Sequence, residues 1–139
     1  MNGPNLNMLG KREPAIYGTT TMDNCLANLQ THYSNDTIQY FQSNIEGCLI
    51  DRLQQAQAEG IEGIALNAGA YTHTSIALAD CISALGIPVV EVHISNVHRR
   101  ESFRQHSMIA AACAGVICGF GMDSYRLAIE ALKALVSGR

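Results

Sequence analysis

The segment Glu91-Val92-His93-Ile94-Ser95-Asn96 concentrates side chains able to move a proton. Successive side chains in a strand point to opposite faces, so Glu91, His93 and Ser95 share one face while Val90, Val92 and Ile94 share the other. Three polar groups in a row on an interior strand are costly unless they are paired or border a site. A carboxylate beside an imidazole favours the protonated ring, which is what a general acid requires. A Glu-His pair kept for structure is the plainer reading. The position at a strand end favours chemistry at least as strongly.

A second cluster is Gly10-Lys11-Arg12-Glu13-Pro14-Ala15-Ile16-Tyr17-Gly18, a polar loop between two glycines able to take hinge conformations, and it reads as a lid. Tyrosine, with an ordinary pKa of about 10, is a poor base at neutral pH, but the Arg12 guanidinium in the same loop would favour the Tyr17 phenolate. Taken alone, the loop is as well explained as a solvated connection that its tyrosine anchors. A third cluster, Asn67 to Ser75 (NAGAYTHTS), puts an amide, small residues that bare the backbone and His73 at a strand-to-helix junction. Such a junction suits a polyol or an anion, or is simply a capped helix start. Arg104 and His106 follow the His93 strand; Arg104 is a candidate for a hydroxyl or carboxylate, and surface charge is the safer reading of His106.

These clusters need a scaffold, and apolar periodicity supplies one. Met22, Leu26, Leu29 and Tyr33, after the candidate caps Thr19, Thr20 and Thr21, predict a helix from about residue 22 to 34. Thr37 to Ser43 (TIQYFQS) reads as a strand. Leu49, Ile50, Leu53 and Ala56 mark a second helix ending at Gly60, Gly63 to Asn67 a buried strand, and Ser75 to Leu85 a third helix stopped by Gly86 and Pro88. Val89 to Ser95 and Gly115 to Phe120 are further strands, and Tyr125 to Val136 is the last helix. Alternating elements with near-continuously apolar strands predict an α/β fold, a parallel sheet covered on both faces by helices. Ligands then sit at the carboxyl ends of the strands, where Ser43-Asn44, Asn67 to Ser75, His93 to Asn96 and Met122 to Ser124 all fall. Asn2-Gly3-Pro4-Asn5 has the look of a turn that follows a strand, yet only Met1 precedes it. Either residues upstream of Met1 supply that strand, which is the favoured expectation, or the chain lacks it.

Composition narrows the function. The 139 residues are 47% hydrophobic and 15% charged, with 12 Gly and 3 Pro, which suits one globular domain. Nine basic against twelve acidic residues, with no basic patch, argue against nucleic-acid or membrane-surface binding. Charge below the roughly 25% typical of soluble domains hints that sister subunits cover part of the surface. Cys25, Cys48, Cys81, Cys113 and Cys118 form no CxxC pair and read as small buried residues of a reducing, cytoplasmic protein rather than a disulfide ladder or zinc site. The longest apolar stretch, Met108 to Met122, is too short for a membrane span and is broken by glycines. There is no GxGxxG, P-loop, nucleophile elbow or HExxH, which removes support for dinucleotide, ATP, serine-hydrolase and zinc-protease readings. Lys11 and Lys133, in a loop and on the last helix, make a buried Schiff-base lysine unexpected.

Taken in order, NGPNLN (2 to 7), LGKREPAIYG (9 to 18), FQSNIEG (41 to 47), NAGAYTHTS (67 to 75), EVHISNVH (91 to 98) and FRQHS (103 to 107) closely resemble the type II 3-dehydroquinases, or 3-dehydroquinate dehydratases, over essentially the whole chain. The resemblance implies a flavodoxin-like fold and cofactor-free trans elimination of water from 3-dehydroquinate, giving 3-dehydroshikimate through an enolate, in the shikimate pathway or in quinate degradation. It implies Tyr17 as the base at C2, Arg12 as the group holding it as phenolate, and Asn5 as a partner of the water that stabilises the enolate. His93 would protonate the departing hydroxyl with Glu91 behind it. Amides of Ile94 and Ser95, with the Ser95 hydroxyl, would hold the carboxylate, and Asn67, His73 and Arg104 the ring hydroxyls.

Asp80 lies about 10 Å along its helix from the start near Thr74, at roughly 1.5 Å per residue, too far to reach its own pocket. The family places the matching aspartate in a neighbouring subunit's site, within trimers that build a dodecamer. Ala79, where relatives often carry arginine, and Ala110-Ala111, in place of a commoner Ser-Pro pair, depart from the pattern away from the chemistry. The alternative is a flavodoxin-like module that binds a small anion or nucleotide without catalysis, since fold alone does not assign function. A structural assembly protein is a third possibility.

Overall fold

The computed structural model describes residues 1–11, 15 and 20–139. Arg12 and Tyr17 of the expected lid lie outside the described residues.

Among the described residues the longer helices and the strands follow in the order α1 (Met22–His32), α2 (Glu46–Ala58), β1 (Ile64–Leu66), α3 (Ile76–Ala84), β2 (Val89–His93), β3 (Gly115–Cys118) and α4 (Asp123–Ser137). The strands run parallel in the order β1-β2-β3, with Ile64 opposite Val89 and His93 opposite Cys118. Asn2 extends the sheet as a single residue, bridging in parallel to Gln42 on one side and Asn67 on the other. Reading across, residues 41–43, 1–3, β1, β2 and β3 follow one another. This is the 2-1-3-4-5 order of a doubly wound, flavodoxin-like sheet.

Each β2 residue is buried, and alternation sorts its side chains between two cores. Val90 and Val92, with Ile94 just beyond, pack with Met22, Cys25 and Leu29 of α1 and Tyr125, Ala128 and Leu132 of α4. Val89, with Ile64 and Leu66 of β1, packs with Leu49, Leu53 and Ala56 of α2 and Leu78, Cys81 and Ile82 of α3. Leu49, Leu53, Leu66, Leu78 and Ile109 are fully buried, and each stabilises the fold by roughly 1.5–3 kcal/mol relative to an exposed side chain.

Several boundaries differ from expectation for local reasons. The first helix is capped by Thr21, whose hydroxyl accepts from the Asn24 amide, and it ends at His32, two residues before the expected end. The second begins at Glu46 rather than near Leu49, because its N-cap is Ile45 and carries no side-chain signal. The third is capped by Ser75 itself, whose Oγ accepts from the Leu78 amide at 2.9 Å. Thr37 to Ser43 forms no regular strand: a ladder needs a partner, and the backbone beside it is paired only around Asn2. The expected strand ends at Ser95 and Phe120 retreat to His93 and Cys118, where the chain turns away to build the strand-end loops. Of the five cysteines expected to be buried, Cys25 and Cys81 are; Cys48 on α2, Cys113 in the connection before β3 and Cys118 at the end of β3 are only half-buried.

The Asn2-Gly3-Pro4-Asn5 turn does hang from the sheet. The Gly3 amide donates to the Asn67 carbonyl at 2.7 Å, and a Cβ on Gly3 would lie 2.3 Å from the Ala68 oxygen, so only glycine allows this approach. Asn5 takes a left-handed conformation, φ 67°, which asparagine tolerates better than most residues. Its amide donates to Asn44 Oδ1 at 2.9 Å, tying the first turn to the loop after residue 43.

Candidate active site

A cavity of about 110 Å³ opens at the carboxyl ends of β1 and β2. Asn5, Asn67, His73, His93, Ile94, Ser95 and Arg104 all line it, so seven of the residues singled out by sequence converge on one site from four separate segments.

His93 is the last residue of β2 and is buried, with Glu91 behind it almost wholly buried on the same face. The His93 Nε2 to Glu91 Oε1 distance is 2.6 Å, a short hydrogen bond of the kind an ionised partner gives. Nε2 is thereby engaged, and Nδ1 is the ring nitrogen left for a ligand. His73 lies in the short turn Gly69–His73 before α3, and its Nδ1 meets the His106 carbonyl at 2.8 Å. A carbonyl only accepts, so Nδ1 carries the hydrogen and Nε2 is an acceptor in the neutral ring. The two imidazoles stack with centroids 6.2 Å apart and planes 20° from parallel.

Arg104 reaches the cavity from the short turn Ser102–Arg104, held by a 2.8 Å hydrogen bond from its Nε to Glu101 Oε2. The backbone hydrogen bond at Glu101, and then the Arg104 guanidinium, hold the exposed Glu101 carboxyl below the usual carboxylate range. Asn67 borders the cavity, but its side chain is turned inward. Its Nδ2 donates to the Tyr125 hydroxyl at 3.0 Å and its Oδ1 accepts from the Gly69 amide at 3.2 Å. The Tyr125 hydroxyl in turn donates to Asn2 Oδ1 at 2.8 Å, and burial pushes its phenol pKa up, so this fully buried chain of groups stays neutral.

Asp80 stands apart, exposed on α3 and not among the cavity's lining residues, as its distance from the helix start led us to expect. His106, expected to be surface charge, is exposed, yet its backbone carbonyl orients His73. Three contributors were missed. Arg100 lines the cavity with its Nη1 3.5 Å from Ser95 Oγ; it sits in a run of three charged residues, Arg99 to Glu101, that gives no hint of which one turns inward. Tyr125 was read only as the start of a helix, and Ser107, quoted within FRQHS, carries a hydrogen bond to Glu91 that its type alone does not announce. Among the described residues no group of three or more His, Cys, Asp or Glu side chains is placed to hold a metal ion. No helix among them is long and apolar enough to cross a membrane.

The arrangement is a buried Glu–His pair at a small polar cavity that also holds a guanidinium and a second imidazole. Comparisons with known proteins identify the family. The family model described as dehydroquinase class II matches residues 1–133. A 3-dehydroquinate dehydratase of Rhizobium johnstonii is 56% identical, over 99% of this chain and 95% of that protein, and one of Chlorobaculum tepidum is 53% identical, over 95% and 90%. The crystal structure of type II dehydroquinase from Butyrivibrio crossotus superposes with a TM-score of 0.92 at 42% identity, covering 95% of this chain and 93% of that one. That from Propionibacterium acnes gives 0.88 at 39% identity, covering 98% and 92%. The chain belongs to the class II dehydroquinase family, whose flavodoxin-like α/β fold it shares.

Proposed function

We propose that this chain is a hydro-lyase that removes water from 3-dehydroquinate to give 3-dehydroshikimate by trans elimination through an enolate, without a cofactor. The observation that carries the reading is the buried Glu91–His93 pair at 2.6 Å on the rim of a cavity that also holds His73 and Arg104. Tyr17, as phenolate beside Arg12, takes the proton at C2; both belong to the loop motif LGKREPAIYG and their roles rest on that motif. The enolate collapses as the hydroxyl leaves, and the His93 imidazolium gives it a proton, so one water departs and a conjugated enone forms. A buried carboxylate behind the ring stabilises the imidazolium, which is the work assigned to Glu91.

Asn5 helps to place the water that meets the enolate oxygen. The Ile94 and Ser95 amides, with the Ser95 hydroxyl, hold the substrate carboxylate. His73 and Arg104 take the ring hydroxyls, and Asn67 joins them through the amide hydrogen not given to Tyr125. Asp80, exposed on α3, completes the site of a neighbouring subunit, in trimers that assemble into a dodecamer. All 139 residues act as one domain, in the cytoplasm, in aromatic biosynthesis through the shikimate pathway or in quinate breakdown. Addition of 3-dehydroquinate, followed by ultraviolet absorbance of the enone, tests the reaction. Turnover by the wild type and its loss in Tyr17→Phe are expected; no signal from the wild type, or full activity in that variant, defeats the proposal.

A further inference from the structure

We infer that Ser107 is a positioning residue for the elimination, acting through Glu91 on His93; the inference rests on the reading of His93 as proton donor. Glu91 has two carboxylate oxygens buried in the protein, and among the described residues each has one hydrogen-bond partner: Oε1 meets His93 Nε2 at 2.6 Å, and Oε2 accepts from Ser107 Oγ at 2.9 Å. A serine hydroxyl offers one donor and two acceptor sites. Both acceptor sites of Ser107 are occupied, by the Ile109 amide at 3.3 Å and the Ala110 amide at 3.0 Å. Its single hydrogen is therefore committed to Glu91. Oε2 is an acceptor, and a proton shared by the acid pair is confined to the Oε1 to Nε2 bond.

The same turn fixes the rest of this wall. The His106 carbonyl takes the His73 Nδ1 hydrogen at 2.8 Å, and the Met108 amide donates to the Thr72 carbonyl at 2.8 Å. His106 thus holds one imidazole through its carbonyl, Ser107 holds the other through Glu91, and Met108 ties the turn to the backbone before His73. Without its hydroxyl, the Glu91 carboxylate keeps one partner, is free to turn about its terminal bond, and loses a hydrogen bond that favours its charged form. The ring it steadies then presents Nδ1 less consistently to the leaving hydroxyl.

The test compares Ser107→Ala, Ser107→Thr and Ser107→Cys with the wild type and with His93→Asn. The readouts are kcat, KM and the His93 Nε2–H resonance in protein labelled with ¹⁵N-histidine. In Ser107→Ala, kcat is expected to fall about ten-fold or more with KM within about two-fold, and the downfield N–H signal to broaden or move upfield. Ser107→Thr, which keeps the donor, restores both. Should Ser107→Ala fail to fold, Ser107→Cys, of the same shape but a weak donor, takes its place with the same expectation. Wild-type kcat and an unmoved N–H signal in the Ala or Cys variant, or equal losses in folded Thr and Ala variants, overturn the inference. If that happens while His93→Asn is inactive, only the role of Ser107 fails; wild-type turnover in His93→Asn removes the acid assignment itself.

Discussion

Two cavities among the described residues differ in character, and the larger of the two is not the one that gathers the candidate site residues. The larger, about 440 Å³, lies between residues 37–41 and β1, lined by apolar side chains such as Met22, Leu26, Leu29, Ile38, Ile129 and Leu132, with Arg52 and Lys133 among its charged members. The smaller, about 110 Å³, gathers two imidazoles and two guanidinium groups at the strand ends. Volume reflects where the sheet is incompletely paired, beside the single bridging residue Asn2. Reactivity reflects where buried polar groups converge on a space that water or substrate can enter.

The comparison breaks most sharply at His93. His93→Asn, whose short amide neither replaces the Nε2 that meets Glu91 nor donates as an acid, should lower kcat by about 10²–10⁴, read from enone formation. Wild-type turnover in that variant would place the chemistry elsewhere. Arg104→Ala should act on binding: KM rises, by roughly ten-fold for one lost charged hydrogen bond, with a smaller change in kcat, checked by initial rates against substrate concentration. Leu29→Ala, on the wall of the larger cavity and in the core with Val90 and Val92, should do the reverse. It should destabilise the fold by about 2–3 kcal/mol in denaturant unfolding while leaving kcat/KM nearly unchanged.

The apolar side also carries a pH signature. Tyr33 is buried, its hydroxyl donates to Glu130 Oε1 at 2.6 Å, and burial first, then that carboxylate, push its pKa from 10 to about 12. The folded state holds this proton more tightly than the unfolded chain. The stabilisation is therefore complete below pH 10 and lost as pH rises through about 12, and Tyr33→Phe should flatten that decline in alkaline melting curves. The smallest effect is expected at Lys133, whose ammonium pairs with Asp36 on the rim. Both side chains are largely exposed, so Lys133→Ala should cost less than about 1 kcal/mol by the same unfolding measurement, and high salt should erase the difference.

The two regions also differ in how readable they were. The candidate-site side could be read because its residues sit at the ends of apolar strands in short, unusual runs. Val90, Val92 and Ile94 fix which way β2 faces, and that alone aims Glu91 and His93 at the opposite side. What failed was anything that depends on pairing between distant segments. Thr37 to Ser43 has the composition of a strand, but a strand is made by its neighbour, and only Asn2 bridges to it. Tyr125 joins Asn2 and Asn67 across 123 and 58 residues of sequence, and no spacing rule reaches that far. Ser107 and Arg100 lie in polar stretches where periodicity is silent, so which side chain turns inward is decided by the folded backbone.

Substrate is proposed to occupy the small polar cavity, against the His93 ring. A crystal structure of the chain with 3-dehydroshikimate bound tests it most directly. The expected result is the ring seated among His73, Ser95 and Arg104, with His93 Nδ1 turned toward the carbon that lost its hydroxyl. Density for the ligand in the apolar cavity beside Leu29 and Leu132, with His93 untouched, would contradict it.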